Sequence, residues 1–122
     1  MMSIRPNWCE KILSLEKRSE LRKTAPMWEQ PYKVFIYLTE GGGVIGEFIC
    51  DQIDYEFPVD VDEDWLKDTC VSVDEALRYA NGKALYKWRI RSLIVYQEAR
   101  PLSLYGLDRP PQSWCYVGGH GE

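Results

Sequence analysis

The chain has 122 residues, 45% hydrophobic and 28% charged, with 15 Lys and Arg against 19 Asp and Glu for a formal net charge of −4. That length fits one domain, residues 1–122, able to bury roughly two-thirds of its unfolded surface, and apolar runs such as residues 34–38 fall far short of the ~20 residues a membrane-crossing helix needs. Cys9, Cys50, Cys70 and Cys115 lack C-x-x-C spacing and the one histidine, His120, sits in a Gly-rich tail, so neither a metal site, a cofactor nor a histidine-based nucleophile is expected, and the chain reads as a soluble cytoplasmic protein with reduced thiols.

Pro6 suits a first helical turn, and Trp8, Cys9, Ile12, Leu13 and Leu15 form an apolar stripe at helical spacing. This predicts a helix over residues 8–15, with Trp8 facing the core. Residues 17–23 then concentrate charge at Lys17, Arg18, Glu20, Arg22 and Lys23. A straight strand here puts Lys17, Ser19, Leu21 and Lys23 on one face and Arg18, Glu20 and Arg22 on the other; a bend at the junction brings Lys17 beside Glu20. Such a cluster is compatible with solvated ion pairs as well as with a ligand site. Residues 24–31, interrupted by Pro26 and Pro31, form a connector whose Met27 and Trp28 are placed to cover a rim.

Residues 32–39 carry β-branched and aromatic side chains in both alternation classes, the pattern of a strand covered on two faces. Gly41, Gly42 and Gly43 turn the chain and residues 44–50 return it as a hairpin arm, with Gly46 marking a bulge or a close backbone approach. No helix opening with Lys-Ser/Thr follows these glycines, so they do not read as a phosphate loop. Residues 62–69 and 72–80 show two short helical patterns, the second opened by a Ser72/Glu75 capping box and stopped at Asn81-Gly82. Asp60, Asp62, Glu63 and Asp64 read as a solvated face, without the ligand order of a calcium loop. Residues 86–96 alternate as one long strand, with Tyr86, Trp88, Ile90, Ile94 and Tyr96 on one face. Arg109-Pro110-Pro111-Gln112 leads into a last short strand over 113–117, and 118–122 form a frayed tail.

Taken in order, Ser3-Ile4-Arg5-Pro6, the first helix, Lys17-x-x-Glu20-x-Arg22, Tyr86-x-Trp88-x-Ile90 and Arg109-Pro-Pro-Gln-Ser-Trp114 resemble an ASCH domain over residues 2–117, closest to the small bacterial and prophage members. The family signature is Gly-x-Lys-x-x-Glu-x-Arg; Leu15 stands at the glycine position, implying a less tightly turned junction. Arg89 follows Trp88 where the family often has histidine. The resemblance implies an α+β fold, a PUA-like mixed β-barrel of about five or six strands with flanking short helices.

It also implies a cleft beside the barrel that reads RNA or modified bases. Such a cleft needs cations for phosphate, an aromatic face for stacking and polar groups for a base edge. Lys17, Arg22, Arg5 and Lys23 meet the first need, Trp88 the second, and Glu20, Ser3, Gln112 or Ser113 the third. Residues 1–33 hold seven Lys and Arg against four acids, 34–75 one against twelve, and 76–122 seven against three. If the two ends meet, they make a small basic patch suited to RNA or a nucleotide, while the acidic total disfavours duplex DNA. Two other readings stay open. One is a hydrolase, either of the acetylcytidine-deacetylating kind or acting on RNA, with Lys17 and Glu20 at the reacting centre; deacetylating relatives place a threonine nucleophile where Glu20 stands, and Ser19 and Thr24 are the nearby hydroxyls. The other is a structural or protein-interaction domain in which the same charges fix the fold.

Overall fold

The computed structural model describes residues 1–118; His120 and the rest of the expected tail beyond residue 118 lie outside the described residues. Among the described residues, seven strands form two sheets. Strands β1 (Met2–Ile4), β3 (Tyr32–Leu38), β4 (Gly43–Cys50) and β7 (Arg91–Arg100) make one, in the order β1-β3-β4-β7, with β1 parallel to β3 and the other pairs antiparallel. Strands β2 (Ser19–Arg22), β6 (Leu85–Arg89) and β5 (Ile53–Glu56) make an antiparallel second sheet in the order β2-β6-β5. The fold is α+β and PUA-like. Its seven strands exceed the expected five or six, and their pairing stays in two sheets rather than closing one hydrogen-bonded ring.

Helix α1 (Pro6–Leu13) starts two residues earlier than expected because Pro6, whose fixed φ suits the first turn, supplies that turn. It ends at Ser14, and Leu15 then takes φ +67°. The left-handed turn is thus made without glycine, and the junction is tightly turned despite Leu15. Buried Cys9 and Ile12 on α1 pack with Met2, Ile4, Ile36, Phe48 and Trp88 in the main core. Helix α2 (Val73–Ala80) has the full capping box at Ser72 and Glu75 and a left-handed Asn81 at its end. Its Ala76 and Ala80 close a second core with Leu21, Val61, Leu66 and Leu85.

Three expected elements differ. Residues 62–69 form irregular turns instead of a helix: Leu66 N–H reaches the Asp62 carbonyl, while Lys67 and Thr69 bond only three residues back. The Asp62 carboxylate accepts from the Trp65 N–H, and side-chain competition of this kind, among crowded acids, works against a helical ladder. The expected strand over 86–96 is two strands in different sheets. Arg89 N–H is taken by the Gln52 carbonyl, Ile90 N–H by the Arg18 carbonyl, and Ser92 adopts φ +52° as the chain crosses over. The expected face does not continue through the break: Trp88 is buried and Ile94 is 54% exposed, while Leu93, of the opposite alternation class, packs against the main core. Finally, residues 113–117 make only a single bridge, Trp114 with Met2, flanked by Ser3 N–H to the Ser113 carbonyl and Cys115 N–H to the Met1 carbonyl.

Gly46 sits in a register shift of β4 against β7, where an added Cβ would stand 2.4 Å from the Ile94 carbonyl oxygen. The connector after β2 carries the almost fully exposed Met27, while Trp28 packs its ring 4.3 Å from that of Tyr116. No helix among the described residues is long and apolar enough to cross a membrane.

Candidate functional site

The left-handed Leu15 folds the chain back so that Lys17 N–H bonds the Lys11 carbonyl at the end of α1, and Arg18 and Ser19 N–H both bond the Asp68 carbonyl. The bend carries the Lys17 ammonium to 3.1 Å from Glu20 Oε1, although a straight strand would set the two on opposite faces. Both are nearly inaccessible, 2% and 3% exposed. Lys17 Nζ also donates to the Thr69 carbonyl and lies 4.8 Å from the centre of the Trp8 ring. A buried ammonium is tolerated when it is paired and hydrogen-bonded in this way.

Arg22 completes the cluster from the same strand. Its Nη2 donates to the Ser3 carbonyl at 2.7 Å and its Nη1 to the Leu21 carbonyl at 3.0 Å. Glu20 Oε2 stands 3.1 Å from Arg22 Nη2, an ion-pair distance, yet Oε2 and Arg22 Nε are both buried without a hydrogen-bond partner. Leaving such groups unmade costs on the order of 1–3 kcal/mol each. The Oε2 charge is met by the Arg22 guanidinium, and Arg22 Nε is the buried donor that makes no hydrogen bond.

Both residues line a cavity of about 350 Å³ together with Ser3, Arg5, Gln112 and Ser113. An adjoining cavity of about 150 Å³ shares Trp8, Glu20, Arg22 and Tyr79 with it and reaches Lys17. The walls come from both ends of the chain: Ser3 Oγ donates to the Pro111 carbonyl at 2.6 Å, tying β1 to the segment that carries Gln112 and Ser113. Lys23 stands over the Tyr79 ring, 4.8 Å from its centre, and lines neither cavity. Seven of the nine residues expected from the sequence thus line the two adjoining cavities, six of them the larger one, and Lys23 touches the cleft only through Tyr79.

Trp88 does not join them. It is 2% exposed, its indole N–H donates to the Thr24 carbonyl at 3.3 Å, and its ring borders a separate apolar pocket with Trp28, Tyr32, Trp114 and Tyr116. The aromatic rings at the cleft are instead Trp8 and Tyr79. Trp8 reads as core from the sequence because it falls on the apolar stripe of α1, and it does pack against the main core while, half-buried, it also borders the cleft. Tyr79 lies on α2, far along the chain, and no local pattern couples it to β2.

Among the other reactive groups, burial pushes the Cys9 thiol up to about 12, with Glu20 adding to the effect, which leaves it a protonated core side chain rather than a nucleophile. Ser19 is buried, and the Thr24 hydroxyl accepts the Trp114 indole N–H at 2.8 Å. Among the described residues no group of three or more His, Cys, Asp or Glu is arranged to hold a metal ion.

The two sheets and two helices together have the arrangement of a PUA-like fold. No protein-family model matches the sequence, and no curated protein matches it. Among solved structures it is similar to the crystal structure of ASCH from Zymomonas mobilis, with TM-score 0.78 and 20% identity over 92% of this chain and 82% of that one. Two mutants of the same Zymomonas mobilis protein, one tyrosine-to-phenylalanine and one serine-to-alanine, match with TM-score 0.78 and 19% identity, covering 92% of this chain and 84% and 82% of theirs. The fold is that of an ASCH domain, in agreement with the ordered motifs.

Proposed function

We propose that this protein is an RNA- or nucleotide-binding module that holds a nucleotide in the cleft between β1, β2 and the Gln112–Ser113 segment. One observation carries the reading: Glu20 and Arg22, joined in one buried ion-pair cluster with Lys17, line a cavity about 350 Å³ in volume together with Ser3, Arg5, Gln112 and Ser113. A nucleobase edge presents donors and acceptors side by side, which suits a wall of carboxylate, guanidinium, amide and hydroxyl groups. Arg5 and Lys23 supply positive charge for phosphate, and Trp8 and Tyr79 supply ring faces for stacking. The partner is single-stranded or looped RNA or a nucleotide, encountered in the cytoplasm, and duplex DNA is disfavoured by the acidic total.

Binding without turnover is favoured over hydrolysis. A lysine–carboxylate pair that activates water needs a lysine able to accept a proton. Here the Lys17 ammonium is engaged by Glu20, by the Thr69 carbonyl and by the Trp8 face, which makes it the anchor that aims Glu20.

The test is titration of a labelled single-stranded RNA and of single nucleotides at low salt. Saturable binding is expected, weakened about tenfold by Arg5→Ala or Gln112→Ala and unchanged by Lys67→Ala or Lys83→Ala, with nucleosides including acetylcytidine recovered intact. Absence of saturable binding, equal losses across the four variants, or cytidine release abolished by Lys17→Ala would each overturn the reading.

A further inference from the structure

Lys17 also borders a second cavity, of about 420 Å³, whose wall is strongly basic. Arg18, Arg89 and Arg91 converge there, with Asp68 as the acid in the lining and Ile12, Leu15, Ile90 and Leu93 as an apolar floor. Arg89 and Arg91 lie two apart on either side of the crossover from β6 to β7. They are drawn to one carboxylate: Asp51 accepts from Arg89 Nε and Nη2, both at 3.0 Å, and stands 3.5 Å from Arg91 Nε. The hydrogen bonds from Arg89 hold the Asp51 carboxyl below the ordinary carboxylate range, so it remains a fixed anionic clamp.

Asp51 does not exhaust the positive charge. A guanidinium carries five N–H donors, and Arg89 gives two of its own to this carboxylate. Arg18 donates only a long 3.4 Å bond to the Leu15 carbonyl. Among the described residues, Arg91 makes no side-chain hydrogen bond and Asp68 no ion pair. Three planar, forked cations with donors left over, above an apolar floor, suit the geometry of phosphate oxygens.

We propose that this cavity is a phosphate subsite, in which Arg18, Arg89 and Arg91 take the anionic oxygens of an RNA backbone whose base lies in the cleft on the other side of Lys17. The proposal rests on the nucleotide-binding reading above. The same chemistry is offered by the terminal phosphates of a free nucleotide, so both ligands are needed to test it.

Arg18→Ala and Arg91→Ala change exposed side chains, and the double variant is expected to melt like the parent. Binding of a labelled single-stranded oligoribonucleotide lacking terminal phosphates is measured across salt concentrations. The double variant should bind about tenfold more weakly at ~100 mM salt, with the slope of log affinity against log salt shallower by about 0.7 for each phosphate that no longer has an arginine partner. Lys67→Ala and Lys83→Ala should leave affinity and slope unchanged. An unchanged double variant alongside a weakened Arg5→Ala overturns the subsite and leaves the cleft standing. Loss confined to a nucleoside triphosphate, with the oligonucleotide unaffected, overturns the backbone assignment in favour of terminal phosphates. No binding of RNA or nucleotide by the parent protein overturns cleft and subsite together.

Discussion

At the scale of single residues, the cluster at β2 sets buried charge beside strained backbone. Lys17 and Glu20 are buried as a pair, and removing one partner of such a pair strands the other charge at a cost of roughly 3–5 kcal/mol. The exposed Arg5 and Gln112 are therefore the informative positions for binding measurements. Leu15 is strained instead of buried: it is 61% exposed and holds φ +67°. Left-handed backbone costs an L-residue about 1–2 kcal/mol, partly offset by the greater unfolded-state entropy of glycine. Leu15→Gly should accordingly raise stability in urea by up to about 1 kcal/mol; a loss would mean that the side chain contributes packing that its exposure hides. The thiols give a second prediction. Burial raises Cys9 to about 12 and Cys50 to about 11, from an ordinary value of 9.0. Folding favours their neutral form, so this contribution is fully present below about pH 9 and is lost as pH rises toward those values. Stability should fall between about pH 9 and 11, and a thiol reagent at about pH 8 should label Cys70 and Cys115 well before Cys9 and Cys50. Equal labelling rates in the native protein would contradict the burial.

At the scale of elements, the turn and cap signals in the sequence locate structure well because each acts within a few residues. Pro6, the Ser72/Glu75 capping box and left-handed Asn81 mark the helices where they stand. The turns at 62–69 escape this logic, since hydrophobic spacing suits a helix while the aspartates favour local side-chain bonds. Gly46 is the clearest case of a local signal with a tertiary cause. Its missing side chain leaves room for the Ile94 carbonyl, 2.4 Å from where a Cβ would be. Gly46→Ala should force β4 and β7 apart and cost about 1–3 kcal/mol, read as a lower denaturant midpoint. A midpoint equal to the parent's would show that the register shift relaxes freely.

At the scale of the whole molecule, the cleft exists because the two ends of the chain meet. β1 lies parallel to β3, and Met2 bridges Trp114, which places Ser3 and Arg5 beside Gln112 and Ser113. This arrangement keeps Trp88 in the core, against the stacking role the resemblance implied for it, while Trp8 packs against the same core and also borders the cleft. Trp8→Leu should weaken nucleotide binding by roughly 1–3 kcal/mol, the usual value of a stacking ring, with a modest effect on melting. Trp88→Leu should lower the melting temperature sharply and leave the affinity of the folded protein unchanged; the reverse result would move the stacking surface to the Trp28–Trp114 pocket. The sequence by itself determined the α+β class, the first helix, the hairpin at Gly41–Gly43, the second helix and the charged motif at Lys17, Glu20 and Arg22, because periodicity, caps and glycines act over short separations. Only the tertiary structure decided that residues 86–96 divide between two sheets, that Tyr79 reaches the cleft, that Arg89 and Arg91 converge on Asp51 beside Arg18, and that Lys17, Glu20 and Arg22 join in one buried cluster. Those outcomes depend on which distant segments meet, and period-two or helical spacing carries no record of a partner dozens of residues away.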